Sequence, residues 1–333
     1  MESSRMVLMK VIFVAAAILY CAALSLRPIP KTTANNDTGR YVANQEEACR
    51  FAALADDSEA LPQRAFNFVV RPACLAEENR FFLFFVAIIL PLAFLLFGQW
   101  DHDAAVFLVL GLLTSAVGFE LATNALRQSV SLAFLLASIS LRGRLSRFAA
   151  LACALLLHDS SWIFIPCVLY INRRRPEARK TKKFVIVMML IVAAILGFYT
   201  LDQRFGGQIQ EGSSPIDLFT ARYGDEASFA FLAFMILPIC WIYAVRKLGS
   251  RVEISREEKM TFFYSLAILA VTALLFPAIT YRFAMTAMVL QLFMAMRAAD
   301  LSMNSGIQIF AGLFFHFLIY AGLSPNFWTV LNG

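Results

Sequence analysis

The chain of 333 residues is built from long, uninterrupted apolar runs, at roughly 11–26, 81–98, 104–119, 122–141, 148–171, 184–201, 227–245, 261–277, 283–296 and 306–323. Most have 16 to 20 residues, close to what an α-helix needs to cross a hydrocarbon core of about 30 Å. Continuous rather than alternating runs exclude a strand-built barrel. The chain is 60% hydrophobic and only 16% charged, whereas soluble domains carry about 25% charged residues. A soluble enzyme, a disordered chain and a disulfide-built secreted module are therefore excluded. No internal repeat and no Gly/Ser- or Pro-rich linker divides the sequence. The expectation is an all-α polytopic membrane protein, a single integral membrane domain over 1–333 with about ten hydrophobic segments.

The net charge of +6 is explained by topology rather than by an acidic partner. Arg5 and Lys10 precede the first run. Arg142, Arg144 and Arg147 fill one short connection; Arg173, Arg174, Arg175, Arg179, Lys180, Lys182 and Lys183 fill another; Arg246, Lys247, Arg251, Arg256 and Lys259 fill a third. The positive-inside rule places all of them in the cytoplasm. Parity then requires an even number of crossings between 147 and 172, yet only the run 148–171 lies there. The conflict is removed if that run is a broken helical hairpin, two half-helices meeting near His158-Asp159-Ser160-Ser161. Polar backbone at membrane depth needs such a protein-lined or wet cavity. The alternative is one tilted helix, which puts a seven-charge loop outside.

With hairpin parity, the N-terminus is cytoplasmic. The segment 27–80 becomes an outer loop, 202–226 a second one, and the turn 278–282 and the C-terminus lie on the same outer side. The first run resembles a signal peptide or lipoprotein signal around Cys21. Tyr20 is too large for the lipoprotein pattern, so an uncleaved anchor is expected.

A charged side chain inside a bilayer costs about 2.5–3.5 kcal/mol on insertion scales, so those retained there are candidates for function. In the fourth run Glu120, Asn124, Arg127, Gln128 and Ser131 recur at spacings of three and four and are expected to form one polar helical stripe. His158-Asp159 stands at the proposed break, Tyr281-Arg282 in a short outer turn, and Asp37-x-x-x-Tyr41 in the outer segment. Each has an ordinary reading alone: Arg282 snorkelling to headgroups, His158 packing, Asp37 capping a helix. Together, under the derived topology, all fall on the outer side. Two arginines and a histidine facing one vestibule suit a doubly charged phosphate group, because the guanidinium fork binds phosphate oxygens at two points.

The segment Asn124-Ala125-Leu126-Arg127-Gln128-Ser129-Val130-Ser131-Leu132-Ala133, the Arg-rich turn after it, and Leu155-Leu156-Leu157-His158-Asp159-Ser160-Ser161-Trp162 resemble the signature of EpsG-like proteins, Wzy-type polysaccharide polymerases of bacterial inner membranes. Asp37-x-x-x-Tyr41 and Tyr281-Arg282-Phe283 are similar to that family as well, whereas Asp159 departs from the neutral residue expected after the histidine. The resemblance implies a multi-span glycosyltransferase on the periplasmic face that joins repeat units carried on undecaprenyl pyrophosphate, making O-antigen or exopolysaccharide. The partners expected are that lipid-linked oligosaccharide, membrane lipids, and a chain-length regulator or flippase; no nucleic acid and no cofactor are expected.

In displacement at an anomeric carbon, pyrophosphate leaves readily and needs its charge neutralised, a role assigned to Arg127 and Arg282. The attacking hydroxyl benefits from a base, for which His158, Asp37 and Glu120 all stand as candidates. Asn124, Gln128, Tyr41 and Tyr281 are candidates for holding sugar hydroxyls. No metal site is expected, since His102, His158 and His316 are scattered, and Asp101-His102-Asp103 falls on the cytoplasmic side. No P-loop or G-x-G-x-x-G is present. Cys21, Cys153, Cys167 and Cys240 sit in apolar runs; Cys49 and Cys74, both in the outer loop, are candidates for a disulfide. The competing classes are an O-antigen ligase or other lipid-linked-sugar transferase, a membrane acyltransferase, and a non-enzymatic flippase or transporter. A transporter is disfavoured because the intramembrane charges gather at one face and no duplication is evident.

Overall fold

The computed structural model describes residues 2–29, 39, 41–42, 61–75, 79–100, 103–158, 160–172, 229–249, 254–275, 277–298, 300–323, 327–328 and 331. Regular structure among them is helical throughout. α1 spans Glu2–Ser25, α2 Leu61–Val70, α3 Asn79–Phe97, α4 Ala104–Leu113, α5 Ala116–Thr123 and α6 Leu126–Ser140. Then follow α7 Arg144–Leu157, α8 Ser160–Ile171, α9 Phe229–Gly249, α10 Arg256–Leu275, α11 Pro277–Met296 and α12 Met303–Leu323. A 3-10 turn, Arg71–Leu75, extends α2. Val7–Ser25, Asn79–Phe97 and Met303–Leu323 are each long and apolar enough to cross a membrane, and α4 with α5 together make a fourth candidate, bent by 57°. The chain is thus a helical membrane protein. The run 184–201, the loop 202–226 and the basic stretch 173–183 lie outside the described residues.

Two expected spans, 104–119 and 122–141, are three helices in the structure, α4, α5 and α6. The first break is made by Ser115 and Gly118. The Ser115 hydroxyl donates to the Leu112 carbonyl at 2.7 Å and accepts from the Gly118 amide at 2.9 Å, capping α5 as serine characteristically does. A Cβ on Gly118 would fall 1.9 Å from the Leu112 oxygen, so only glycine allows the fold-back. The second break, at Asn124-Ala125, splits the expected polar stripe. Glu120 and Asn124 belong to the end of α5, and Arg127, Gln128 and Ser131 to the start of α6.

The run 148–171 does reverse direction. Ser131 of α6 donates to the Ala154 carbonyl at 2.7 Å, and Arg147 donates to the Leu141 carbonyl, so α7 runs antiparallel to α6. Ser131 also meets the Ser161 hydroxyl at 2.6 Å, while the Asn172 amide donates to the Ser138 carbonyl at 3.0 Å. Hence α8 runs parallel to α6, and α7 and α8 are opposed. With 14 and 12 residues, they reach roughly 21 and 18 Å, too short for either to span alone. His158 terminates α7 in extended backbone, φ −157° and ψ 132°. The other expected turn, 278–282, is absent: α11 begins at Pro277, and Tyr281-Arg282 lie within its first two turns.

The same reasoning orders the remaining helices. Gln128 bonds to the backbone of Arg282 and Arg297 to Ser140 at 3.2 Å, which makes α11 parallel to α6. Close approach of Gly306 to Ala104, where a Cβ would come within 2.9 Å, and of Gly111 to Leu313 makes α12 parallel to α4, the small-residue packing that membrane helices favour. Arg27, just past α1, reaches the Thr123 carbonyl at 3.2 Å. Two ends of the bundle follow. One carries Arg142, Arg144, Arg147, Arg246, Lys247, Arg256, Lys259 and Arg297; the other carries Arg27, Arg127, His158 and Arg282.

The basic end is closed by a buried ion cluster. Arg246 donates through Nε to Glu258 at 2.9 Å and through Nη2 to Asp300 at 3.0 Å, with Arg246 and Glu258 both sealed from solvent. It ties the end of α9 to the start of α10 and to the α11–α12 connection. Removing one member strands the other's charge, which costs about 3–5 kcal/mol. Arg246→Ala is therefore expected to lower the thermal unfolding temperature of the purified protein sharply. Retention of the wild-type value would show that the cluster contributes little.

Candidate functional site

The end opposite the ion cluster gathers side chains from distant parts of the chain. Leu126, Val130, Phe66, Val70, Phe82 and Leu157 form an apolar floor there. Tyr41 is buried against that floor, its ring 5.5 Å from Phe66. Its phenol oxygen accepts a hydrogen bond from Arg127 Nε at 3.1 Å, and the guanidinium carbon sits 5.9 Å from the ring centroid. Arg127 occupies the first turn of α6, so the phenol braces the guanidinium through both its oxygen and its π-face.

Gln128 points the other way. Wholly buried, it donates through Nε2 to the Arg282 carbonyl at 2.6 Å and the Thr286 hydroxyl at 3.0 Å. This fixes the second turn of α11 against the start of α6. Arg282 then donates through Nε to the Tyr281 hydroxyl at 3.0 Å, with its guanidinium carbon 5.7 Å from that ring. Its Nη1 lies 3.3 Å from His158 Nε2. The imidazole is 8% exposed, and its Nδ1 faces the Ser160 amide at 3.1 Å and the Ser160 hydroxyl at 2.9 Å. The Ser160 amide and the Arg282 guanidinium are both donors, and a neutral imidazole has one acceptor nitrogen, so the ring accepts from one of them at a time.

The expected site residues divide into two groups. Tyr41, Arg127, Gln128, His158, Tyr281 and Arg282 come together around the α7–α8 break. Glu120 and Asn124 form a second group with a residue the sequence did not single out, Tyr320 of α12. The Tyr320 hydroxyl donates to Glu120 Oε1, and Asn124 Nδ2 donates to Oε2 at 3.0 Å. Asp37, Asp101, His102, Asp159 and Cys49 lie outside the described residues, as does the side chain of Cys74. His316 belongs to neither group: its ring stacks on Phe234 at 3.8 Å and its Nε2 meets the Phe234 carbonyl at 2.9 Å. Cys21, Cys153, Cys167 and Cys240 are free thiols in helices. Among the described residues, no three metal-ligating side chains converge.

Arg27 is a second buried polar residue at this end outside the motifs. Its guanidinium is 5% exposed and donates to the Leu24 carbonyl at 2.7 Å as well as to Thr123. A cation at two helix C-termini satisfies carbonyls that the helices leave open. The sequence carried a signal for it: Arg27 ends the first run on the side where the charge rule places few basic residues.

These features define a helical membrane protein with a buried electropositive site where one helical hairpin turns. The sequence model of the EpsG family matches residues 64–331, about four-fifths of the chain, and the chain belongs to that family. Neither the curated proteins nor the solved structures contain a match to it. Membership points to polysaccharide biosynthesis, and the match encloses Arg127, Gln128, His158, Tyr281 and Arg282.

Because Gln128 joins α6 to the Arg282 backbone through its amide, Gln128→Ala leaves buried polar groups short of a partner, at a cost of about 1–3 kcal/mol. A fall in unfolding temperature is the expected result. An unchanged temperature would mean that Arg282 is positioned by other contacts.

Proposed function

We propose that this protein polymerises a bacterial surface polysaccharide. It transfers glycan from an undecaprenyl-pyrophosphate-linked donor to a lipid-linked repeat unit on the outer face of the inner membrane. The observation that carries this reading is Arg282 beside the buried His158, tied by the Gln128 amide to the α6 turn that also carries Arg127, all within the family match. Two fixed guanidiniums at a sparsely solvated site favour the charge that develops on a departing pyrophosphate, since preorganised cations need no reorganisation as the bond breaks. Tyr41 and Tyr281 brace one guanidinium each. A flippase or chain-length regulator is the proposed partner.

The reaction proposed is metal-independent, the cationic role being taken by the arginines. Polymerisation by purified protein is expected to persist in excess EDTA; its loss, with recovery on adding a divalent ion, would overturn that part. Arg127→Ala is expected to abolish polymer and leave single repeat units on a surface-glycan gel, a loss of at least a hundredfold. Wild-type chain length in that variant would refute the role given to Arg127.

The proposed orientation puts the basic end in the cytoplasm. Pro176→Cys, in a chain whose Cys49 and Cys74 are replaced by serine, is therefore expected to resist an impermeant thiol reagent in intact cells and to react after permeabilisation. Labelling from outside would reverse the orientation and move the site to the wrong face.

A further inference from the structure

The His158 ring meets an obligate donor on each edge, and only one of the two can move. On one edge is the first turn of α8, whose amides need acceptors because no helical carbonyl precedes them. The Ser161 amide bonds the His158 carbonyl at 3.1 Å, and the Ser160 amide bonds Nδ1 of the ring at 3.1 Å. The imidazole thus caps α8, in the role that a serine or aspartate side chain usually takes. On the other edge, Arg282 Nη1 lies 3.3 Å from Nε2. The Ser160 hydroxyl, 2.9 Å from Nδ1, can donate or accept, so it suits either tautomer.

The two tautomers differ in which contact they spoil. With the proton on Nδ1, an N–H faces the Ser160 amide across 3.1 Å, and α8 holds that amide in place. With the proton on Nε2, an N–H faces a guanidinium across 3.3 Å. That separation is already beyond the roughly 2.7–3.2 Å of ordinary N–H hydrogen bonds, and the guanidinium stands on a flexible stem. A proton on both nitrogens would spoil both contacts. The backbone contact decides: Nδ1 is the acceptor and Nε2 carries the proton.

Nε2 and Arg282 Nη1 are then two donors side by side, and an oxygen with lone pairs in front of them satisfies both. The ring is 8% exposed and Ser160 3%, so water screens such a contact little. We infer that His158 donates a hydrogen bond through Nε2 to a phosphate oxygen of the pyrophosphate lipid, beside Arg282, and is not the base of the transfer. The assignment rests on the polymerase reading above. The ring gives a hydrogen bond and keeps its proton, so no bond to it forms or breaks. As charge grows on the departing pyrophosphate, that hydrogen bond strengthens.

The test uses the full chain in nanodiscs, with its histidine nitrogens isotopically labelled and read by NMR. The chain has three histidines, so the His158 signals are those that vanish in His158→Asn. A bare Nδ1 and a protonated Nε2 are expected at neutral pH; a protonated Nδ1 would overturn the assignment. Adding undecaprenyl pyrophosphate is expected to move the Nε2 signal, and saturating lipid that leaves it unmoved would overturn the contact. His158→Asn keeps an oxygen able to cap α8 but has no donor at the Nε2 position. It should unfold near the wild-type temperature and bind the lipid about tenfold more weakly. His158→Gln, whose amide reaches that position, should recover most of the affinity and extend a lipid-linked repeat unit about tenfold faster than His158→Asn. Equal loss of turnover in both variants, with affinity intact, would make His158 a base and overturn the donor role. A wild-type protein that binds undecaprenyl pyrophosphate at Nε2 but never extends the repeat unit would overturn the polymerase reading and leave the contact standing.

Discussion

The buried amide of Gln128 is the contact on which the site's geometry depends. Its Nε2 reaches across to the Arg282 carbonyl at 2.6 Å and the Thr286 hydroxyl at 3.0 Å, clamping the start of α6 to the second turn of α11. The rest of the site is referenced to that clamp. Arg127, one residue earlier on α6, turns to Tyr41; Arg282, on the clamped turn, reaches His158. Inside a membrane protein such bonds are strongly selected, because water is not at hand to replace a missing partner. The hairpin is held by the same logic, with Ser131 bonding to both Ala154 and Ser161 so that α7 and α8 lie against one helix in opposite senses.

The hairpin reconciles charge with length. A chain whose basic residues must gather on one side cannot place Arg147 and Asn172 near one end of the bundle unless the segment between them turns back. The turn leaves polar backbone at depth, and Ser160 meets it by offering its amide and hydroxyl to His158. On the ring's other edge, Nε2 lies 3.3 Å from Arg282 Nη1. A topological necessity and a cationic site are thus one piece of structure.

Much of this was legible in the sequence. The parity argument located the reversal, and the spacing of Arg127, His158 and Arg282 among apolar residues marked the cluster. What stayed hidden is local or long-range. Helical periodicity joins Glu120 to Ser131 in one stripe because nothing in it reports that Asn124 and Ala125 leave the helix. Likewise the steric demand that makes Gly118 necessary depends on a Leu112 carbonyl that appears only once the chain folds back. Tyr281-Arg282 stand between the runs 261–277 and 283–296 and so read as a turn; Pro277 instead opens α11, where a missing amide costs nothing. Tyr320 is unremarkable among nine tyrosines until its partner 200 residues away is known.

The central claim is that Arg127 and Arg282 together form a pyrophosphate site. Its most direct test is equilibrium binding of undecaprenyl pyrophosphate and of undecaprenyl monophosphate to the full chain in nanodiscs. The account predicts that the pyrophosphate lipid binds at least tenfold more tightly, and that the preference collapses when both arginines are replaced by glutamine. Equal binding of the two lipids by the wild-type protein, or a preference that survives the double replacement, would contradict it.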